Sequence, residues 1–143
     1  MSKGKFLIID EISEEQEHIM DLLSDGFELD KAENYTEAVE KLKTSAFDLI
    51  IMELKLSGLD SEKSTEVGID LLFYIKQSDI RSAVLILTDC PSLDTYKQTR
   101  ELGIYGYLSK DETSGEKLIT AITKAYEKFQ SAQKNMITDF DLA

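Results

Sequence analysis

The chain has 143 residues, a single cysteine and 28 acidic against 16 basic side chains, a formal net charge of −12, which suits one ordinary domain with a real core and basic partners or cations. It argues against direct nucleic-acid binding, which needs clustered Lys and Arg. Cys90 alone excludes an internal disulfide and makes a cytoplasmic home the default, and the apolar run at 6–9 is too short for a signal peptide or a membrane span, so no membrane association is expected.

"KFLIID" (5–10) reads as a strand ending in a carboxylate. "SEEQEHIMDLLSDG" (13–26) reads as a helix, with Ser13 and Gln16 at capping-box spacing, Gly26 as a stop, and Ile19, Leu22 and Leu23 on its buried side. "FELDKA" (27–32) is a short edge-like strand. Asn34 and Glu37 open a second helix over 34–45, with Ala38 and Leu42 on its apolar face. "DLIIMEL" (48–54) is a continuous apolar run that ends in Glu53, the signature of a strand buried on both faces.

Residues 56–68 show no apolar period and read as a loop. A short helix is expected over 69–78. "AVLILT" (83–88) is another buried strand. Pro91 suits the first position of a helix over 91–102, and "IYGYLSK" (104–110) is the fifth strand. Thr113 and Glu116 are spaced as a capping box for a last helix with Leu118, Ile122, Ala125 and Phe129 along one stripe. That helix is expected to reach about Asn135. One domain over 1–136 and a tail over 137–143 follow. Five strands alternating with five helices predict an α/β fold, a parallel sheet covered on both faces.

In such sheets ligands bind beyond the carboxyl ends of the strands. Those ends carry Asp10 and Glu11, then Glu53, then Thr88 and Asp89, then Lys110. Close carboxylates must bind a cation, pair with a lysine or lose their charge. Carboxylates with carbonyls and waters are ligands for Mg²⁺, and a lysine with a hydroxyl suits phosphoryl oxygens.

"LIIDE", "FDLIIMELKLSG", "VLILTD" and "GIYGYLSKD", in this order, resemble the response-regulator receiver domain of two-component signalling, over about residues 5–129. The resemblance implies a flavodoxin-like, doubly wound five-stranded sheet of order 2-1-3-4-5. It also implies roles. Asp10 and Glu11, with Glu53, match the acidic group around a possible Mg²⁺. Thr88 and Tyr107 match the switch hydroxyl and switch aromatic, Lys110 matches the phosphoryl-pairing lysine, and Glu53 stands at the phosphoacceptor position.

That position is ordinarily Asp in the family. A Glu carboxylate sits one methylene further out, and a misplacement of about 1 Å costs on the order of 100-fold, so phosphorylation is not expected. The expectation is a stand-alone atypical receiver that works by protein–protein contact and is not an enzyme. Its partner would be a histidine kinase, a phosphotransfer protein or another signalling protein, with a homodimer through the fourth and fifth units open. The alternative is an active Mg²⁺-dependent phosphoacceptor in a phosphorelay. A flavodoxin-like FMN binder is disfavoured because the acidic "DEISEE" loop repels a phosphate.

Other departures leave paired readings. Asp89 either repels a phosphoryl anion or caps the helix near Pro91. Lys55 either folds back onto the acids or points to solvent. The insertion at 61–67 is a lid, a partner surface or a tolerated loop. Asp111 replaces a proline often preceded by a cis bond, which bears on where Lys110 points. His18 reads as a surface residue and Cys90 as a plain small side chain. Tyr96, Tyr105, Tyr107 and Tyr126 fit an interface, although Tyr126 equally suits the core. Asp48 lies at the wrong end of its strand to be a phosphoacceptor.

Overall fold

The computed structural model describes residues 4–11, 14–58, 62–113 and 115–142. In chain order the elements are β1 (Lys5–Ile9), α1 (Glu14–Leu23), β2 (Glu28–Ala32), α2 (Tyr35–Thr44), β3 (Leu49–Met52), β4 (Leu56–Ser57), β5 (Lys63–Ser64), α3 (Thr65–Gln77), β6 (Ala83–Thr88), α4 (Leu93–Leu102), β7 (Gly106–Ser109) and α5 (Glu116–Leu142). The main sheet is parallel, in the order β2-β1-β3-β6-β7. This is the flavodoxin-like order expected, with β4 and β5 forming a separate antiparallel pair.

The apolar runs are explained by two cores. Leu7, Ile9, Ile50, Met52, Val84 and Ile86 face α2 and α3, where Leu42, Leu71, Leu72 and Ile75 meet them. Phe6, Ile8, Leu49, Ile51, Leu85 and Leu87 face α1 and α5, where Ile19, Leu23, Leu118, Ile122 and Phe129 meet them. Successive strand residues point to opposite faces, so a strand covered on both sides needs every position apolar. Leu22 departs from expectation: it is 40% exposed, because α1 buries Ile19 and Leu23, four residues apart.

Several boundaries differ from the sequence reading. α3 begins at Thr65, four residues before the expected 69, because Ser64 caps it by accepting from the Glu66 N–H at 3.0 Å. Gly68 therefore lies inside the helix. A Cβ there would stand 2.2 Å from the Leu54 carbonyl oxygen and 2.4 Å from its Cα; the glycine permits close approach and does not mark a break. Residues 56–68 are accordingly not all loop.

α4 is capped by Ser92, whose hydroxyl accepts from the Thr95 N–H at 3.1 Å, so it opens after Pro91 and not on it. α5 opens at Glu116 from Gly115, which has φ +54°. The Gly115 carbonyl accepts from the Ile119 N–H, so Thr113 lies too early to be the cap. With no Gly or Pro after position 115, α5 continues to Leu142, past the expected end near Asn135 and through most of the expected tail. Ser13 falls outside the described residues.

Candidate functional site

The carboxyl ends of β1, β3, β6 and β7 converge as the parallel order requires. The Asp10 N–H donates to the Ala32 carbonyl, the Glu53 N–H to Ile9 and the Lys110 N–H to Thr88. These bonds extend the ladders one residue beyond the strands and set the backbones of Asp10, Glu53 and Lys110 at one edge of the sheet.

Lys110 is the centre of the site. Its ammonium donates to Asp10 Oδ2 at 2.6 Å and lies 3.4 Å from Glu53 Oε1, with only 12% of the side chain exposed. Burial is the largest influence on this group and pulls its pKa down. The hydrogen bond to Asp10 and the charges of Asp10, Glu53 and Asp89 outweigh it, so Lys110 sits above its ordinary value. All peptide bonds among the described residues are trans, and the lysine reaches the acids without the cis bond that a proline after it often brings.

Glu53 is 3% exposed. Its side chain curls over the end of its own strand. Oε2 accepts from the Leu54 N–H at 2.7 Å and the Lys55 N–H at 3.4 Å, and Oε1 accepts from the Asp89 N–H at 3.1 Å. Both oxygens are therefore held by amides, one of them beside the Lys110 ammonium as well. Asp89 is thereby assigned: its backbone serves Glu53, while the helix cap is Ser92. Lys55 itself is exposed, in line with the solvent reading.

Asp10 Oδ1 accepts from the Glu11 N–H at 2.8 Å. Glu11 turns to a residue that sequence reasoning passed over, Lys63, whose ammonium forms an ion pair with Glu11 Oε2. Lys63 lies in the insertion, and nothing local in "SEKSTEV" marks it; only the pairing of β4 with β5 brings it to the site. The expected metal ligands Asp10, Glu11 and Glu53 are thus committed to two lysines and a set of amides. Among the described residues no group of three His, Cys, Asp or Glu side chains is disposed to hold an ion. As placed, Asp10 and Glu11 face two ammonium groups, which a Mg²⁺ held by one or two carboxylates and several waters would have to displace, so the arrangement does not fit a resident ion.

Thr88 is fully buried. Its hydroxyl accepts from the Cys90 N–H at 3.1 Å and lies 3.8 Å from Cys90 Sγ. Burial raises the Cys90 pKa, so the thiol is kept protonated. Tyr107 is turned toward α4. Its hydroxyl lies 2.7 Å from Thr95 Oγ1 and accepts from the Ser92 N–H at 3.0 Å, and its ring meets Tyr96 edge-on at 5.4 Å. Ser92 and Thr95, which tether this aromatic, were also missed; the cap signal at Ser92 was present but was obscured by Pro91.

The remaining candidates are dispersed. Tyr126 packs against Phe6 and Phe27 at 5.3 and 5.4 Å, partly buried against the core and away from the site. Tyr105 meets Phe129. Asp48 accepts from the Lys5 N–H at 2.9 Å, at the opposite strand end. His18 is exposed on α1.

The sequence matches a known family. Residues 6–123 match the response regulator receiver domain. The chain belongs to that family.

Receiver domains are signalling modules of two-component and phosphorelay systems that interact with kinases and phosphotransfer proteins, and they are not enzymes in their own right. Response regulator protein PilR of Pseudomonas aeruginosa is 32% identical over 112 residues, 77% of this chain and 23% of PilR. This chain thus spans less than a quarter of that relative. Sporulation initiation phosphotransferase F of Bacillus subtilis is 28% identical over 115 residues, 77% of this chain and 84% of the relative. In fold, the signal receiver domain of a putative Luxo repressor protein from Vibrio parahaemolyticus superposes with a TM-score of 0.81 at 21% identity, covering 92% of this chain and 95% of that one. Among the described residues no helix is long and apolar enough to cross a membrane.

Proposed function

We propose that this receiver domain works in a fixed state. Glu53, at the phosphoacceptor position, is not phosphorylated, and its carboxylate stands in part for the phosphoryl group. One observation carries the reading. Glu53 is buried, and its two oxygens already take three backbone N–H groups and the edge of the Lys110 ammonium. A carboxylate must present a lone pair to phosphorus to attack it, and these lone pairs are occupied by bonds of the charge-assisted kind. The anion supplies one negative charge where a phosphoryl group brings about 1.5 to 2, so the likeness is partial.

Thr88 and Tyr107 stand at the positions of the switch hydroxyl and switch aromatic and hold one arrangement. The module signals by protein contact in the cytoplasm, through α4, β7 and α5. Leu93 at 65% exposure and Tyr96 at 37% support that surface, since aromatic and apolar groups favour interfaces. The partner is a signalling protein of the same system.

The test is intact-protein mass after incubation with Mg²⁺ and a small acyl-phosphate donor. No phosphoryl mass is expected. A stable phosphorylated species mapped to Glu53 overturns the reading in favour of an active phosphoacceptor.

A further inference from the structure

We propose that Lys63 is a built-in counter-ion, carried by the β4–β5 pair onto the acidic rim of the pocket, and that it closes this receiver domain to Mg²⁺. The acids at the rim are Asp10 and Glu11. Lys110, largely buried, takes Asp10 at 2.6 Å, and the more exposed Lys63 takes Glu11. Two ammonium groups from separate elements thus sit on the two carboxylates that the family resemblance assigns to a divalent ion. A cation entering here has to displace both.

The Lys63–Glu11 pair is about half exposed, with side-chain exposures of 45% and 43%, and a pair of that kind is weak taken alone. Its placement gives it weight. The backbone of Lys63 is set by the antiparallel ladder: Ser57 faces it, and Leu56 faces its neighbour Ser64. Leu56 is fully buried, and Ser64 caps α3. The insertion therefore does not simply drape over the site. It presents a lysine from an anchored position, so little further ordering is needed to form the pair. This gives Lys63, within the insertion, a role that the segment's polar, aperiodic composition left open.

The proposal rests on reading Asp10 and Glu11 as the family's acid pair, and not on whether Glu53 accepts a phosphoryl group. Its test is therefore run without any phosphoryl donor. Mg²⁺ is titrated calorimetrically into the full chain and into Lys63→Gln, Lys63→Arg and Lys43→Gln, with melting temperatures taken in the presence and absence of millimolar Mg²⁺. Lys43→Gln removes an exposed charge on α2, which controls for net charge.

The native chain, Lys63→Arg and Lys43→Gln are expected to show no saturable heat and no rise in melting temperature. Lys63→Gln is expected to gain saturable binding that the native chain lacks, with a matching Mg²⁺-dependent rise in melting temperature. Saturable binding by the native chain equal to that of Lys63→Gln overturns the proposal. So does a Lys63→Gln chain as indifferent to Mg²⁺ as the native one, since Lys110 alone would then exclude the ion.

Discussion

At the scale of single residues, the site is organised by one ammonium shared between two acids. Lys110 holds Asp10 and leans on Glu53; without it, both carboxylates lose the ammonium they share. Lys110→Met is expected to destabilise the chain by about 3 kcal/mol, the low end for removing one partner of a buried pair, measured by urea denaturation. The pKa of Lys110 is raised above its ordinary 10.5. Its contribution to stability is therefore fully present below pH 10.5 and is lost as pH rises through the folded-state value. Melting temperatures taken across that alkaline window should fall for the native chain and fall less for Lys110→Met. The carboxylate at position 53 was legible in the sequence, because the strand-end rule predicts chemistry there. Its conformation was not. The curl of Glu53 onto its own backbone depends on amides of Leu54, Lys55 and Asp89, two of them next in sequence and the third 36 residues away.

At the scale of elements, the periodic pieces were readable and the aperiodic piece was not. The stripe of Leu118, Ile122, Ala125 and Phe129 marks α5, and those side chains are buried as the period requires. By contrast, "LSGLDSEKSTEVG" carries a two-stranded pair and the first turn of α3, although it has no period of its own. Its structure comes from partners elsewhere: Leu56 enters the core, and Gly68 seats against the Leu54 backbone. Gly68→Ala is expected to cost at least about 2 kcal/mol, because its Cβ would overlap main-chain atoms that cannot step aside. Gly26→Ala meets nothing within 4 Å and should change stability by no more than about 0.5 kcal/mol. Chemical denaturation of the two variants separates a glycine needed for approach from one at an open helix end. Gly68 also sits behind the strand end that carries Glu53, so Gly68→Ala should disturb the Lys55 and Asp89 amide resonances as well.

At the scale of the whole molecule, the charge of −12 opposes compaction. Exposed carboxylates repel one another through solvent and are screened by salt, whereas the Lys110 pairs lie largely out of reach of the ionic atmosphere. Moderate NaCl is therefore expected to raise the urea midpoint of the native chain and not to weaken it. A fall in the midpoint with salt would mean that exposed ion pairs such as Lys41–Asp30 outweigh the net repulsion.

The sequence by itself determined the parallel, two-faced sheet and the location of the site. An apolar run without alternation has no stable home except a strand covered on both sides, and a polar group at the end of such a strand has only the sheet's carboxyl edge to occupy. Those are local constraints, readable one segment at a time. The tertiary structure alone decided how the acids are balanced. Lys110 is 100 residues from Asp10, and Lys63 reaches Glu11 only through the β4–β5 pair. Coulombic pairing depends on distance in space, which no local pattern encodes. For that reason the sequence left a cation, a lysine partner or a lost charge open for these carboxylates, and the fold set two lysines against them.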